Sequence, residues 1–411
     1  MKVVPSLDFV VSEVNVMNQL LTSFCGITLE NPCLLSAAPP TRKKEGIAAA
    51  FRLGWAGAVT KTCTAHNLIA GDTPRRFAVL RGRAGDITGF ENIEGLSHYP
   101  ISYWEQVVGE LKEEFPTKAI IASIMGDSRK ESWQDLAQRM EAAGADALEL
   151  NLSCPHFRTD QGMGAATGKS ADLSADITAW VKEVTSIPII VKLTPNVSDI
   201  GEIARAAVHA GADALSAINT VQALMGVDID TFEPLPSVDG YSAFGGYSGP
   251  AIKPIGLRCV AQLAQTVRVP IHGIGGITTW QNVVEYMAVG ASCVQVCTAV
   301  MLNGYGIIKP ILAGLQDYVA RKGIEKLSGI TGTALTKITA REKLNMNWGV
   351  RSALVRPEAC IKCGRCATVC GESGKAAITF SDGIVTVVDR AICDGCSLCT
   401  HVCPSKVLAL I

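Results

Sequence analysis

Eight short apolar runs recur along most of the chain, with longer segments of amphipathic helical spacing between several of them. The runs occupy residues 33–37, 58–61, 119–125, 147–151, 187–194, 214–220, 270–276 and 292–298. Each is almost continuously apolar, which is typical of parallel strands buried on both faces. Helices are predicted between them at residues 133–143, 176–184, 200–210, 254–267 and 280–289. The alternation predicts an α/β fold with a parallel sheet.

A similar short glycine-containing segment precedes four of these runs. Residues 53–57 read Leu-Gly-Trp-Ala-Gly, residues 143–146 and 210–213 read Ala-Gly-Ala-Asp, and residues 289–292 read Val-Gly-Ala-Ser. A glycine after a helix supplies a left-handed C-cap, and the short link then enters the next strand. We interpret this recurrence as an internal repeat whose simplest closure is a (β/α)8 TIM barrel. A doubly wound open sheet is the alternative.

Polar side chains follow several predicted strands at their C-terminal ends, where such barrels carry their active sites. They are Lys61 and Thr62, Asn151 and Ser153, Lys192 with Thr194 and Asn196, and Asn219 with Thr220. A single polar residue at a strand end is often only a cap or a turn former. Several at equivalent positions predict a shared site.

The stretch from Glu149 to His156 combines the end of a predicted strand with the reactive side chain of Cys154. A thiol at this position acts as a nucleophile, a general acid or a redox group, whereas a lone cysteine is more often a buried structural residue. Residues 157–169 are rich in glycine and alanine, and a loop of this length inside a compact domain is typical of a lid.

Glycine-rich turns close the last two predicted strands. Gly273-Ile-Gly-Gly-Ile277 ends the seventh and Val296-Cys-Thr-Ala299 ends the eighth, and Gly245-Gly-Tyr-Ser-Gly249 lies upstream. Barrels of this kind often bind phosphate at these positions, through backbone N–H groups and a helix N-terminus. The spacing is not the GxGxxG fingerprint of dinucleotide sites. The turns therefore predict a phosphate-bearing cofactor.

Cysteine dominates the C-terminal region from residue 358. The spacing Cys-x2-Cys-x2-Cys-x3-Cys occurs twice, at Cys360, Cys363, Cys366 and Cys370 and at Cys393, Cys396, Cys399 and Cys403. In bacterial ferredoxins the first three thiolates of each run hold one [4Fe–4S] cluster and the fourth reaches the other cluster. The predicted ligand sets are Cys360, Cys363, Cys366 and Cys403 for one cluster, and Cys393, Cys396, Cys399 and Cys370 for the other. Zinc is the alternative.

A barrel with a phosphate site and two clusters needs a cofactor that exchanges both electron pairs and single electrons, and a flavin does both. FMN is predicted over FAD, because no segment suits an adenylate half. The sequence also lacks a nicotinamide site, which predicts a partner subunit or carrier as electron donor. The predicted domains are an extension at 1–18, the barrel at 19–345 and a small α+β ferredoxin-like domain at 346–411.

Composition excludes several classes of protein. The chain has 411 residues, 48% of them hydrophobic and 18% charged, with a net charge of −1, so no basic field recruits nucleic acid or an anionic membrane. No apolar run approaches the roughly 20 residues that cross a bilayer, and Asp8 and Glu13 argue against a signal peptide. Fifteen cysteines without a signal sequence indicate metal ligands and free thiols in the cytoplasm.

Residues 24–315 resemble the FMN barrel of the dihydroorotate and dihydropyrimidine dehydrogenase superfamily. The matching blocks are Asn151-Leu-Ser-Cys-Pro-His156, Lys192-Leu-Thr-Pro-Asn196, Asn219-Thr-Val221, Tyr247-Ser-Gly-Pro-Ala-Ile-Lys-Pro254 and Asn92-Ile-Glu94. The ferredoxin module behind the barrel resembles the arrangement of dihydropyrimidine dehydrogenases. The chain is similar to bacterial subunits that hold FMN and the clusters, whose separate partner carries FAD and takes electrons from NADH.

The resemblance implies a role for each site residue. Uracil or thymine would be reduced at its 5,6 double bond, with Cys154 as the general acid. The substrate would contact Asn92, Glu94, Asn151, Asn219 and Thr220. FMN would contact Ser36, Ala37, Lys61, Asn151, Ser153, Lys192, Gly249, Gly275, Gly276, Thr298 and Ala299. An oligomer is expected.

Three alternatives remain open at this stage. A dihydroorotate dehydrogenase would need a cationic contact for the substrate carboxylate, and Glu94 argues against it because like charges in a small site are costly. A flavin barrel that reduces uridine in tRNA would need a basic face. The third is a barrel that serves mainly as an electron-transfer subunit.

Overall fold

The structure is a computed structural model that describes residues 19–65, 74, 76–152, 166–346, 348–373, 375–381 and 384–411. Its chain divides into two compact units after Ile338. The sequence-based domain boundary lies a few residues further on, at 345, and the extension predicted at 1–18 lies outside the described residues.

The first unit contains seventeen strands and nine α-helices among the described residues. Its strands are β1 (Thr22–Phe24), β2 (Ile27–Leu29), β3 (Cys33–Leu35), β4 (Gly57–Val59), β5 (Cys63–Thr64), β6 (Phe77–Arg81), β7 (Ile87–Asn92), β8 (Ala119–Met125), β9 (Ala147–Asn151), β10 (Ile189–Leu193), β11 (Ala214–Ala217), β12 (Val221–Ala223), β13 (Gly226–Val227), β14 (Pro234–Leu235), β15 (Gly245–Ser248), β16 (Ile271–Ile274) and β17 (Cys293–Val296). Its helices are α1 (Lys44–Leu53), α2 (Ile101–Glu114), α3 (Lys130–Ala142), α4 (Ala171–Lys182), α5 (Ile200–His209), α6 (Lys253–Thr266), α7 (Trp280–Ala288), α8 (Thr298–Asn303) and α9 (Ile308–Lys322).

Eight parallel strands close into a barrel in the order β3, β4, β8, β9, β10, β11, β16 and β17, and β17 pairs back with β3. The predicted (β/α)8 barrel is therefore confirmed, and the open sheet is wrong. All eight predicted runs coincide with these strands. Several strands end before their apolar run does, because the last residues of the run leave the ladder and enter the loops of the site.

The predicted glycine caps have left-handed backbone conformations. Gly54, Gly144, Gly211 and Gly290 have φ angles of 108°, 94°, 105° and 110°. Each follows a helix and leads within a few residues into β4, β9, β11 or β17. An L side chain is strained at such φ values, which explains why the same residue type recurs in the repeat.

Alternate residues of the barrel strands divide the apolar core into two layers. One layer lies between strands and helices, and the other contains Leu34, Val59, Ile121, Ile190 and Cys293. Phe24 and Leu29 of the β1–β2 hairpin pack with this second set. Since successive side chains of a strand face opposite sides, the second set fills the barrel interior.

A four-stranded antiparallel sheet, in the order β12, β15, β7 and β6, is inserted between barrel elements. Asn92, the last residue of β7, pairs in register with Gly246 of β15. This sheet fixes the segment that follows β7, where Glu94 lies.

The second unit is small and mixed. Its described strands and helices are β18 (Ser352–Leu354), α10 (Arg365–Glu372), β19 (Ile378–Ser381), β20 (Ile384–Val388), α11 (Leu398–Val402) and β21 (Leu408–Leu410). Strand β18 pairs antiparallel with β21, and β19 pairs antiparallel with β20. The predicted α+β ferredoxin-like fold is confirmed, and the hairpin of β19 and β20 lies between the two cysteine runs.

Candidate active site and cluster sites

One cavity gathers every described residue that the sequence predicts for substrate or FMN. It encloses about 1090 Å³ of empty space, part of it open to solvent. Its lining includes Ser36, Ala37, Lys61, Asn92, Glu94, Asn151, Lys192, Asn219, Thr220, Gly249, Gly275, Gly276, Thr298 and Ala299. We call this space the central cavity. Ser153 and Cys154, predicted to bind cofactor and to act as general acid, lie outside the described residues.

Glu94 is almost fully buried and is surrounded by cations. Lys61 Nζ lies 3.3 Å from Glu94 Oε2 and Arg76 Nε lies 3.8 Å from Oε1. Arg42 donates a hydrogen bond to Oε1. The carboxylate is therefore not an isolated negative charge, and the charge argument against an acidic ring is weaker than the sequence indicated.

Three side chains link the barrel wall to the amide-rich part of the cavity. Asn151 Nδ2 donates to Thr62 Oγ1 at 3.0 Å, and Asn219 Nδ2 donates to Asn151 Oδ1 at 3.3 Å. The backbone N–H of Thr220 donates to Asn219 Oδ1 at 2.9 Å. These contacts fix the orientation of both carboxamides, which line the central cavity and carry both donors and acceptors.

Lys192 belongs to a second buried network. It lies opposite Asn151 in the β10–β9 register, and its Nζ is 3.1 Å from Glu149 Oε1. Gln295 Nε2 lies 2.7 Å from Glu149 Oε2 and 2.9 Å from His272 Nδ1. Burial acts to raise the pKa of Glu149, but Lys192 and Gln295 outweigh it and hold this pKa below its ordinary value. Burial lowers the pKa of His272 to about 3, so the imidazole is neutral at physiological pH.

The glycine-rich end of the cavity brings two turns of backbone close together. Gly249 and Gly276 have φ angles of 89° and 66°. A Cβ added at Gly276 would lie 2.8 Å from the Cβ of Lys253 and 2.9 Å from Gly249 O. Ser248 Oγ and Thr298 Oγ1 are 2.8 Å apart beside these glycines. This wall, with Lys61 and Lys192 elsewhere in the cavity, fits an anionic flavin mononucleotide.

Of the cysteines without a predicted role, Cys297 lines the central cavity. Burial raises the pKa of its thiol to about 11, so it is protonated at neutral pH. Cys33, Cys63, Cys259 and Cys293 are buried, as expected for core packing.

Two smaller cavities in the second unit bring the thiols together. One, with about 290 Å³ of empty space, is lined by Cys360, Cys363, Cys366 and Cys403. The other, with about 360 Å³, is lined by Cys370, Cys393, Cys396 and Cys399. The grouping is the one that the spacing predicts, with the fourth thiol of each run in the opposite set. Interlocked sets of this kind are typical of paired [4Fe–4S] clusters.

Hydrogen-bond donors surround the thiols of the second cavity. Ser352 Oγ lies 3.1 Å from Cys399 Sγ, and the backbone N–H of Ser352 lies 3.4 Å from Cys393 Sγ. The N–H of Ala377 lies 3.3 Å from Cys370 Sγ. Donors to sulfur raise cluster reduction potentials.

Sequence reasoning missed Arg42, Arg76, Glu149 and Gln295. A carboxylate within the apolar run of β9 was a signal for Glu149, since an unpaired charge in a buried strand is costly. It shares a face with Asn151 because the two are separated by one residue. The sequence held no comparable signal for Arg42 or Arg76, whose contacts with Glu94 depend on loop geometry.

Fold and site together define a class, an oxidoreductase barrel joined to an iron–sulfur module. The dihydroorotate dehydrogenase family model matches residues 19–319, and a 4Fe-4S dicluster domain model matches residues 353–410. The chain belongs to the dihydroorotate dehydrogenase family. It is an oxidoreductase acting on CH–CH bonds, and the predicted cofactors, FMN and two [4Fe–4S] clusters, are those of this family and this domain.

Three curated relatives show how the similarity is distributed. The NAD-dependent dihydropyrimidine dehydrogenase subunit PreA of Escherichia coli is 37% identical over 94% of this chain and 93% of its own. The chloroplastic dihydropyrimidine dehydrogenase (NADP(+)) of Arabidopsis thaliana is 34% identical over 78% of each chain. The catalytic subunit of dihydroorotate dehydrogenase B (NAD(+)) from Pyrococcus abyssi is 40% identical over 75% of this chain and 97% of its own. Within the described residues, no helix has the length and apolar character needed to span a membrane.

Proposed function

We propose that this chain reduces the 5,6 double bond of uracil or thymine, reversibly, as the FMN and iron–sulfur subunit of a dihydropyrimidine dehydrogenase. The observation that carries the proposal is the convergence of Asn92, Glu94, Asn151, Asn219 and Thr220 on one cavity together with Lys61 and Lys192. Similarity to the E. coli subunit over nearly the whole chain supports it.

The amide and carboxylate groups suit the edge of a pyrimidine base. Glu94 would accept a hydrogen bond from a ring N–H, and its carboxylate lies between Lys61 and the two arginines. Asn151 and Asn219 offer both donors and acceptors, which match the alternating carbonyl and N–H groups of the ring. The set of contacts orients the ring with C5 and C6 toward the cofactor.

FMN, when bound, supplies the hydride that is added to C6. Ser36, Ala37 and Lys61 would hold its ring, and Gly249, Gly275, Gly276, Thr298 and Ala299 would cradle its ribityl phosphate. Lys192 would place its ammonium beside the ring, where a positive charge stabilises the reduced, anionic form. Asn151 and Ser153 would complete this contact set.

Cys154 would give its proton to C5 as the general acid, and in the reverse direction its thiolate would take the proton back. General acid–base groups of this kind contribute about 10²- to 10⁴-fold to rate. The segment 157–169, proposed as a lid, would exclude water during the transfer.

Cys360, Cys363, Cys366 and Cys403 would ligate one cluster, and Cys370, Cys393, Cys396 and Cys399 the other. These clusters would carry single electrons from a separate subunit that binds FAD and NAD(P)H. The E. coli relative is itself named as a subunit, which supports a partner in a cytoplasmic complex.

The proposal is tested by anaerobic reoxidation of the photoreduced holoenzyme. Uracil, thymine, orotate and uridine are added separately, and flavin reoxidation is followed by visible absorbance. Rapid reoxidation by uracil or thymine, but not by the other two, is the expected result. If none of the four reoxidises the flavin, the barrel acts on another ring or only relays electrons, and the substrate assignment fails.

Dihydroorotate oxidation is the second candidate, and one observation favours it. Arg42, Lys61 and Arg76 surround the single carboxylate of Glu94, so the local charge is positive overall. A carboxylate on the ring would find cations near the site. Reoxidation by orotate in the same experiment would select this candidate.

A further inference from the structure

Glu149 is fully buried in the middle of β9 and forms an ion pair inside the barrel. Its Oε1 lies 3.1 Å from Lys192 Nζ, and its Oε2 accepts a hydrogen bond from Gln295 Nε2 at 2.7 Å. Each carboxylate oxygen therefore has its own partner, which leaves the side chain one orientation. Lys192 is nearly as buried as Glu149 and lines the central cavity.

The groups around Lys192 leave Glu149 as its charge partner within the described part of the chain. His272, from β16, is neutral because burial lowers its pKa to about 3. Gln295, from β17, is uncharged, and Cys297 after β17 is protonated because burial raises its pKa to about 11. Lys61, which also lines the cavity, carries the same charge as Lys192. An ammonium in such surroundings keeps its charge only while a carboxylate is paired with it.

The network reaches the cavity wall at a second point. Gln295 also lines the central cavity, and within the described residues its buried Oε1 has no hydrogen-bond partner. A buried acceptor without a partner costs about 1–3 kcal/mol. The open acceptor and the ammonium of Lys192 thus belong to one hydrogen-bonded unit whose centre is Glu149.

We propose that Glu149 is a positioning residue that keeps Lys192 charged and aimed into the central cavity, and thereby sets the reduction potential of the bound flavin. The inference rests on the proposed function only in placing the FMN ring beside Lys192. Glu149 touches neither substrate nor flavin in this account. It acts through Lys192, with Gln295 holding the carboxylate in place.

The test compares flavin reduction potentials of holoenzymes at about pH 8. The variants are Glu149→Gln and the double variant Glu149→Gln with Lys192→Met. The matched control is Glu183→Gln, at the exposed residue that follows α4. Without the carboxylate of Glu149 the ammonium of Lys192 is an unpaired buried charge, which burial strongly disfavours. The flavin is followed by spectroelectrochemistry, and the clusters by electron paramagnetic resonance.

Both variants are expected to have lower flavin potentials than the wild type, and similar to each other. The expected shift is at least about 30 mV, which corresponds to a tenfold weaker preference for reduced over oxidised FMN in this two-electron couple. The control keeps the wild-type value. An unchanged or raised potential in Glu149→Gln would overturn the proposal, as would a double variant that differs strongly from the single one.

The test remains decisive if Glu149→Gln does not fold, and it is independent of the proposed substrate. The double variant replaces a buried ion pair by neutral side chains, a change that proteins often tolerate, so it reports on Lys192 if Glu149→Gln does not fold. Wild-type potential in the double variant then refutes the proposal. Because no substrate is present, the result stands apart from the reoxidation experiment, whose failure would remove the pyrimidine assignment and leave the link between Glu149 and Lys192 intact.

Discussion

Lys61 and Glu94 form a buried ion pair at the wall of the central cavity, with Nζ 3.3 Å from Oε2. Arg42 and Arg76 contact the other carboxylate oxygen. Each oxygen of Glu94 thus has a cationic partner, and Glu94 also lines the central cavity. The arrangement makes Glu94 a fixed acceptor for a ring N–H group, and it also places three cations beside the cavity.

Substitution of Glu94 by Gln is expected to weaken the binding of a neutral ring and to strengthen the binding of an acidic one. Loss of a hydrogen bond to a charged group costs about 1.5–3 kcal/mol, so uracil should bind about tenfold to a hundredfold more weakly. Orotate should bind more tightly, because three cations are left without their carboxylate. The measurement is the dissociation constant of each ligand from the oxidised holoenzyme, read from the flavin spectrum. Glu114→Gln, on the surface of α2, is the control, and equal affinities in Glu94→Gln and wild type would contradict the acceptor role.

Asn219 should affect substrate binding more than turnover. Its side chain donates to Asn151 and accepts from the backbone of Thr220, so Asn219→Ala removes both of these hydrogen bonds together with the proposed contact to the substrate. We expect KM for uracil to rise about tenfold or more, from a loss of about 1.4 kcal/mol or more of binding. Steady-state kinetics with a chemical electron donor measure it. A fall in kcat with unchanged KM would show that Asn219 acts in the chemical step instead.

Replacement of Cys154 by Ala is expected to slow pyrimidine reduction by about 10²- to 10⁴-fold, the usual contribution of a general acid. FMN content and reduction by dithionite should be unchanged, because the residue supplies a proton and no electrons. Single-turnover reoxidation by uracil measures the effect. Undiminished reoxidation would refute the general-acid role. Cys297→Ala, which removes a thiol that lines the central cavity, is the control.

Ser352 is expected to affect the reduction potential of one cluster and to leave that of the other unchanged. Its hydroxyl lies 3.1 Å from Cys399 Sγ, and a donor to sulfur stabilises the reduced, more negative cluster. Ser352→Ala is therefore expected to lower the potential of the cluster bound by Cys370, Cys393, Cys396 and Cys399.

Potentiometric titration with detection by electron paramagnetic resonance resolves the two clusters. Ser373→Ala is the matched control, since the Ser373 hydroxyl donates to the carbonyl of Cys370 and not to a sulfur. A change in both cluster potentials, or in neither, would contradict the assignment of this serine.

The features that could be predicted are those that depend on a local pattern of residues in the sequence. The eight strands follow from continuous apolar runs, the repeat from its glycine caps, and the two thiol sets from spacing alone. The contacts of Arg42 and Arg76 with Glu94 are different, because they join segments that are distant in sequence and come from irregular loops. The pair of Glu149 and Lys192 could be predicted only in part. Each residue occupies a regular strand position, but their contact depends on the order of strands in the barrel.

His272 should make the barrel sensitive to acid. The imidazole is fully buried, stacks on Phe24 with ring centroids 3.7 Å apart, and burial lowers its pKa to about 3. In the unfolded chain a histidine takes up a proton near its ordinary pKa of about 6.5, whereas folded His272 does not. The unfolded state therefore binds more protons between these values, and stability falls as the pH falls.

The expected contribution is about 1.4 kcal/mol of lost stability for each pH unit below about 6.5, continuing toward about pH 3. His272→Leu removes the titrating group, so its unfolding free energy should depend less steeply on pH than that of the wild type in this window. Chemical denaturation from about pH 7 to 5 measures the two slopes. His209→Asn, at the exposed end of α5, controls for loss of a histidine. Parallel slopes for His272→Leu and wild type would contradict the lowered pKa of His272 in the folded barrel.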